Sequence, residues 1–351
     1  MDKLILSVSP HLRGKSNTTT VMLDVIIALV PALVMSALIF GLQALVLVAV
    51  CVATCVLAEF LFGLLCKKPC TVGDLSAIVT GILLAFNLPV SVPVWQAVVG
   101  SIVAIIVVKQ LFGGLGMNFA NPAIVGRIFM FIAFSSTMSN YLIPDAAGEL
   151  VATATPLVEQ TTSLPAFVEK WYIGFETFGV NTFGDFLASN NLPTFPEILE
   201  TFQIKSILSL LIGSHNGVIG ETCALALIAG GVYLIVRKVI SFHIPTVFIA
   251  TVFVLSLFVA PEGQNMLAYA TYQILSGGLM LGAIFMATDY VTSPYTKWGK
   301  VIFGFGCGLI TFAIRQWGSY PEGVSFSILF MNILTPYINN WIATKPLGGA
   351  K

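Results

Sequence analysis

The chain has 351 residues, of which 57% are hydrophobic and only 9% charged, at a mean hydropathy of +0.95. A soluble domain carries about 25% charged residues, so there is too little polar side chain here to cover a water-facing surface, and the class is an all-α polytopic membrane protein. Net charge is zero, which excludes the basic footprint of a nucleic-acid-binding protein.

A crossing helix needs about 20 predominantly apolar residues. Residues 1–19 are polar and moderately basic, with Lys3, Arg13 and Lys15. No small-residue cleavage site follows a short apolar core, so no cleaved signal peptide is expected. The segment reads as cytoplasmic. A first transmembrane half, 20–134, holds spans at 20–40 and 44–65 around the turn Gly41-Leu42-Gln43, then at 75–88, 95–112 and 124–134. A long polar interval, 135–203, follows. The second half, 204–351, opens with an apolar stretch at 204–212 that is too short to cross. It reads as a re-entrant half-helix, tolerated only where it is buried in protein or lines a cavity. Spans at 222–236, 244–259, 266–287, 298–314 and 324–341 bring the expected total to ten.

Orientation follows from basic residues near span ends. With the N-terminus in the cytoplasm, Lys67-Lys68, Lys109, Arg237-Lys238, Lys297, Lys300 and Lys345 fall on or near the cytoplasmic side. The polar interval and the loop Pro261-Glu262-Gly263 fall outside, and both termini come out cytoplasmic. A faint internal repeat is also visible. Gly73-Asp74-Leu75-Ser76-Ala77 opens the third span, and Gly220-Glu221-Thr222-Cys223-Ala224 opens the sixth. These two spans run in opposite directions, as an inverted repeat requires. Asn121-Pro122 and Ser293-Pro294 form a second pair, at unequal spacing.

Charge inside a bilayer costs roughly 2.5–3.5 kcal/mol per Asp, Lys or Arg at the centre, so each intramembrane charge needs a reason. Lys109 and Arg315 are expected to reach the interface. For Asp24 and Glu59 a buried structural pair competes with a transport role. Asp74, Glu221 and Asp289 each begin or end a short or glycine-flanked segment. Broken segments of that kind set helix ends and free carbonyls around a substrate or ion, so these three are the candidates for a cofactor or ion site. Helix packing explains the neighbouring glycines Gly277-Gly278 but not the pair Thr288-Asp289. The six cysteines read as small apolar packing residues, and Cys66-x3-Cys70 alone is a weak metal signal. No metal is assigned.

The polar interval contains Ala152-Thr153-Ala154-Thr155-Pro156, by physics alone an ordinary turn. A threonine hydroxyl is a poor nucleophile without an activating base, and none is near in sequence. Several strings across the chain, however, carry a resemblance. They are Ser9-Pro10-His11, Met22-Leu23-Asp24-Val25, Asp74-Leu75-Ser76-Ala77-Ile78-Val79-Thr80-Gly81, Asn118-Phe119-Ala120-Asn121-Pro122-Ala123, Gly220-Glu221-Thr222, Phe285-Met286-Ala287-Thr288-Asp289 with Thr292-Ser293-Pro294, and Tyr320-Pro321-Glu322-Gly323-Val324. In this order they resemble the D-type subunit of the Rnf complex, a membrane ferredoxin:NAD oxidoreductase. At greater distance they are similar to the B-type subunit of the sodium-translocating NADH:quinone oxidoreductase.

The resemblance implies a membrane electron-transfer subunit of the bacterial cytoplasmic membrane, working with the other Rnf subunits and in contact with membrane lipid. It implies FMN joined through a phosphoester to Thr155 by a separate flavin transferase, which removes the need for a local base. Ala154-Thr155 match the end of the family's modification motif, Glu149 stands where aspartate is usual, and Ala152 and Thr153 depart from it. Thr153 is the alternative acceptor. A second, non-covalent flavin such as riboflavin or FMN is implied within the bundle, with sodium or proton movement coupled to electron flow. The alternatives are a secondary transporter or channel with no redox cofactor, and a structural anchor for partner subunits.

Overall fold

The structure is a computed structural model that describes residues 17–67, 71–144, 150–153, 207, 210–213, 217–221, 223–261, 265–318 and 322–342. Helix α1 (Thr18–Phe40) starts two residues earlier than the apolar run, because Asn17 and Thr20 form a reciprocal capping box. Gly41, at φ 67°, turns the chain directly into α2 (Leu42–Leu65). That left-handed backbone favours glycine. A 3-10 turn (Val72–Asp74) leads into α3 (Ser76–Phe86). Helix α4 (Val94–Gln110) widens to π geometry from Val103 onward. Asn121 caps α5 (Pro122–Ala133), whose proline occupies the first turn.

A single turn, α6 (Ser135–Met138), precedes a small antiparallel ribbon of β1 (Tyr141–Pro144) and β2 (Leu150–Thr153), with Tyr141 opposite Thr153. The later helices are α7 (Ala224–Val236), α8 (His243–Phe258), α9 (Met266–Leu275), α10 (Leu279–Met286), α11 (Lys297–Trp317) and α12 (Val324–Trp341). Of the expected half-helix at 204–212, Ile207, Leu210, Leu211 and Ile212 are described, and all four are helical.

Among the described residues three helices, α1, α2 and α11, are long and apolar enough to cross a membrane. The stretch expected as one span at 266–287 is two helices, α9 and α10, bent by 63° at Ser276-Gly277-Gly278. Gly277 and Gly278 both have positive φ, 73° and 65°. A hydropathy window averages across such a break, so composition alone reads it as continuous. The other expected spans are shorter apolar helices of 10–17 residues, together with α12. A 17-residue helix reaches only about 25 Å at 1.5 Å per residue, so these helices depend on neighbours and loops to complete the crossing.

Contacts sort the ends into two faces. Arg237, at the end of α7, bonds Asp24 near the start of α1. Tyr290 bonds the Val239 carbonyl, Thr335 bonds the Thr292 carbonyl, and Asn339 accepts from the Tyr295 amide. The start of α1 and the end of α12 therefore share one face, here the Asp24 face. The Gly41 turn, the loop around Ser91 and the β-ribbon lie at the opposite end, the ribbon face; there the Ser91 hydroxyl donates to the Asn140 carbonyl. The exposed basic residues among those described, Lys67, Arg237, Lys238 and Lys297, all belong to the Asp24 face.

Helices α3 and α7 run in opposite senses between these faces, which agrees with the first half of the expected inverted repeat. The second half differs. Asn121 caps α5 directly, whereas α11 is capped by Thr296, three residues beyond Ser293.

Candidate functional site

Two polar assemblies lie inside this apolar bundle. The first is on the Asp24 side. The π-helical end of α4 turns Lys109 inward, where it is 2% exposed. Its ammonium donates to Glu59 Oε1 and Oε2 at 3.1 and 2.9 Å and to Ser76 Oγ at 2.6 Å, using all three of its protons. Ser76 donates to Asp74 Oδ1 at 2.5 Å, and the Ser76 amide bonds the same oxygen at 3.0 Å. Thr71 completes the Glu59 carboxylate at 2.6 Å. Lys109, expected at the interface, does not reach it, because Glu59 offers a buried partner that water would otherwise have to replace.

Ser76 and Lys109 line a cavity whose other walls include Thr80, Asn118, Asn121 and Asp289. It encloses about 80 Å³, room for a few waters or one ion. Both π-helical segments of the described chain end on it: one carries Lys109, and the other, Gly282–Met286, leads into Thr288 and Asp289. Asp289 accepts from Thr292 at 3.2 Å. Formal charges around the cavity are Glu59, Asp74 and Asp289 against Lys109, a net negative balance that favours a cation.

The second assembly lies toward the ribbon face. Arg127 of α5 is 5% exposed. It pairs with Glu322 and donates to Asn87 Oδ1 at 3.0 Å and Ser325 Oγ at 2.8 Å. Tyr141 of β1 donates to Glu322 at 3.5 Å. Glu221 is 3% exposed, its Oε2 accepts no hydrogen bond among the described residues, and Arg127, Arg315, Tyr141 and Tyr272 are its electrostatic neighbours. Arg315, also expected at the interface, instead caps the broken helix. It donates to the carbonyls of Gln273, Ser276 and Gly277 at 2.5, 2.9 and 3.1 Å.

The two assemblies are joined by one side chain. Asn87 accepts from Arg127 with its oxygen and donates to Met286 Sδ at 3.4 Å with its amide. The Met286 carbonyl in turn accepts from Asn121 at 3.2 Å, beside the cavity.

Of the residues expected at a flavin or ion site, Asp289 lines the cavity and Asp74 reaches it through Ser76. Glu221 does not join them. Its segment docks on the Phe86 and Leu88 carbonyls, at the far end of α3, about 15 Å along that helix from Ser76. Thr155 and Glu149 lie outside the described residues. Asp24 proves to be paired, with Arg237 at 3.2 Å and Tyr233 at 3.0 Å. Lys109, Asn87 and Glu322 gave no signal as site residues, although Glu322 is an acidic residue at the start of an apolar run. Among the described residues no group of three His, Cys, Asp or Glu could hold a metal, and Cys51, Cys55, Cys223 and Cys307 are buried free thiols.

A bundle of short, broken and π-widened helices that buries two ion pairs among the described residues is the architecture of a polytopic membrane protein with charge-handling work to do. The chain belongs to the NQR2, RnfD, RnfE family, which matches residues 5–348. It is 44% identical over 351 residues to the D-type subunit of the Na(+)-translocating ferredoxin:NAD(+) oxidoreductase complex of Acetobacterium woodii, covering 99% of this chain and 96% of that one. It is 35% identical over 345 residues to the proton-translocating counterpart of Clostridium ljungdahlii, covering 97% and 95%. With the D-type subunit of the ion-translocating oxidoreductase complex of Escherichia coli it shares 33% identity over 358 residues, covering 98% of each.

Proposed function

We propose that this chain is the membrane electron-transfer subunit of an ion-translocating ferredoxin:NAD oxidoreductase complex, with FMN attached covalently to Thr155 by a flavin transferase. The observation that carries the reading is likeness over essentially the whole chain to the D-type subunits of such complexes. The fold supports it. The strand that leads into Ala154-Thr155 is held on the ribbon face against β1, whose Tyr141 rests on the Arg127–Glu322 pair. In this reading that face is extracytoplasmic, and the basic Asp24 face is cytoplasmic.

FMN, when attached, supplies one- and two-electron carriage, and the remaining work falls to the bundle. Asp289, facing the Glu59–Lys109–Ser76–Asp74 chain, gives the cavity its negative balance and so holds a sodium ion or a proton. A second, non-covalent flavin, riboflavin or FMN, belongs to the same reading, but this cavity, at about 80 Å³, is too small for an isoalloxazine ring and suits water or an ion.

The test is ultraviolet in-gel fluorescence of the denatured protein, co-expressed with a flavin transferase, for wild type and Thr155→Val. A band that the substitution abolishes supports the reading. A band in both moves the attachment to Thr153. A dark band in both, with the transferase active on a control protein, restores the transporter without a redox cofactor, which the broken α9–α10 pair independently favours.

A further inference from the structure

A second, more open pocket of about 410 Å³ lies on the Asp24 face between the α7–α8 connection and the loop before α11. Its polar lining is Lys238, Ser241, Thr288, Ser293 and Lys300 with Tyr290, over an aliphatic floor that includes Ile235 and Ile244. No carboxylate is among its lining residues. Arg237 beside it is already engaged by Asp24, so Lys238 and Lys300 are the charged groups of its lining. Helices α8 and α11 both begin at its rim, at His243 and Lys297, and add the positive ends of their dipoles. Two aromatic side chains line it, Phe242 and Tyr290, exposed by 54% and 50%, and Tyr295 and Trp298, exposed by 63% and 71%, follow in the chain segment that carries Ser293 and Lys300. Amphipathic rings clustered in this way mark the depth of the lipid headgroups.

We propose that this pocket binds the phosphate of an anionic phospholipid from the leaflet at the Asp24 face. Lys238 and Lys300 hold the phosphate oxygens, and Ser241 and Ser293 supply hydroxyl donors. The acyl chains leave along the exposed apolar side of α7, where Val236 is 73% exposed. Three features select a lipid: the cationic pocket, its apolar floor and its position inside the aromatic girdle. Basic pockets between helices at a membrane surface recognise headgroups by this combination. The pocket shares Ile240, Thr288 and Tyr290 with the cavity that carries Asp289. A bound phosphate therefore sits one side-chain layer from the cation-favouring cavity and raises the local cation concentration at its mouth.

The experiment uses the intact purified complex, stripped of lipid in detergent and titrated with phosphatidylglycerol or phosphatidylcholine, with bound lipid read by native mass spectrometry. Wild type should retain one phosphatidylglycerol that Lys238→Gln/Lys300→Gln loses, with affinity falling about fivefold for each lysine removed. Lys67→Gln, on the same face but away from the pocket, should change nothing. Ser293→Phe, which fills the pocket and keeps both lysines, should expel the lipid and so guards against a double variant that fails to assemble. Equal retention by wild type and the pocket variants, or equal binding of phosphatidylcholine, would overturn the proposal. Complete displacement by millimolar inorganic phosphate would overturn it in favour of a free-anion site.

Discussion

Lys109 and Glu59, 50 positions apart in sequence, meet at 2.9 Å with side chains 2% and 1% exposed. Removing one partner leaves the other charge buried and uncompensated, a loss of about 3–5 kcal/mol. Lys109→Met and Glu59→Gln should each lower the thermal midpoint of the detergent-solubilised protein sharply. The double variant should recover much of the loss, and a cycle of the four proteins gives the coupling directly. Additive effects would mean that the pair is not formed.

Arg315 satisfies three carbonyls at the α9–α10 break, and hydrogen bonds to a charged group contribute about 1.5–3 kcal/mol each. Arg315→Gln should therefore loosen the break. The readout is hydrogen exchange, expected to speed up at the amides of residues 276–282 while α1 and α2 keep their protection. Unchanged exchange there would remove Arg315 from this role.

Gly230 and Gly73 make a contrasting pair. A methyl group at Gly230 of α7 would drive into the Ala28 backbone of α1, whereas Gly73 has open space around it. Gly230→Ala should cost about 1–3 kcal/mol through overpacking and part α1 from α7, weakening the Asp24–Arg237 contact. Gly73→Ala should be near neutral. Melting of the two variants checks both.

Asp289 supplies the charge on one wall of the Asp24-side cavity. On the proposed function, in proteoliposomes of the assembled complex, Asp289→Asn should cut ion movement per electron by roughly tenfold, the effect of losing one charge-assisted contact, with the proposed covalent flavin fluorescence unchanged. Normal pumping would take Asp289 out of the ion path. Glu221→Gln, in the other assembly, separates the two regions: an equal defect would mean that Asn87 and Met286 couple them.

Much of the architecture was legible in the chain itself. The apolar runs located α1, α2, α11 and α12 to within a few residues, and Asp289 stood out as an acid that packing did not explain. What could not be read was pairing. Lys109 and Arg315 look like interfacial residues in sequence, because a hydropathy profile holds no record of Glu59 or of the Ser276 and Gly277 carbonyls. The α9–α10 break was hidden for a related reason. Gly277-Gly278 is also an ordinary helix-packing pair, and only its positive φ angles make it a hinge.

By itself the sequence determined that this is a membrane bundle, roughly where its helices run, and which family it belongs to. All three follow from residue-by-residue transfer free energies and from strings of neighbouring residues. The tertiary structure alone decided that Asp74 and Asp289 share a cavity while Glu221 joins Arg127 and Arg315 at the other side. The reason is that the position of a buried charge is set by partners such as Glu59 for Lys109 and Ser325 for Arg127, 50 and 198 residues away, and such contacts exist only once helices remote in sequence have packed together.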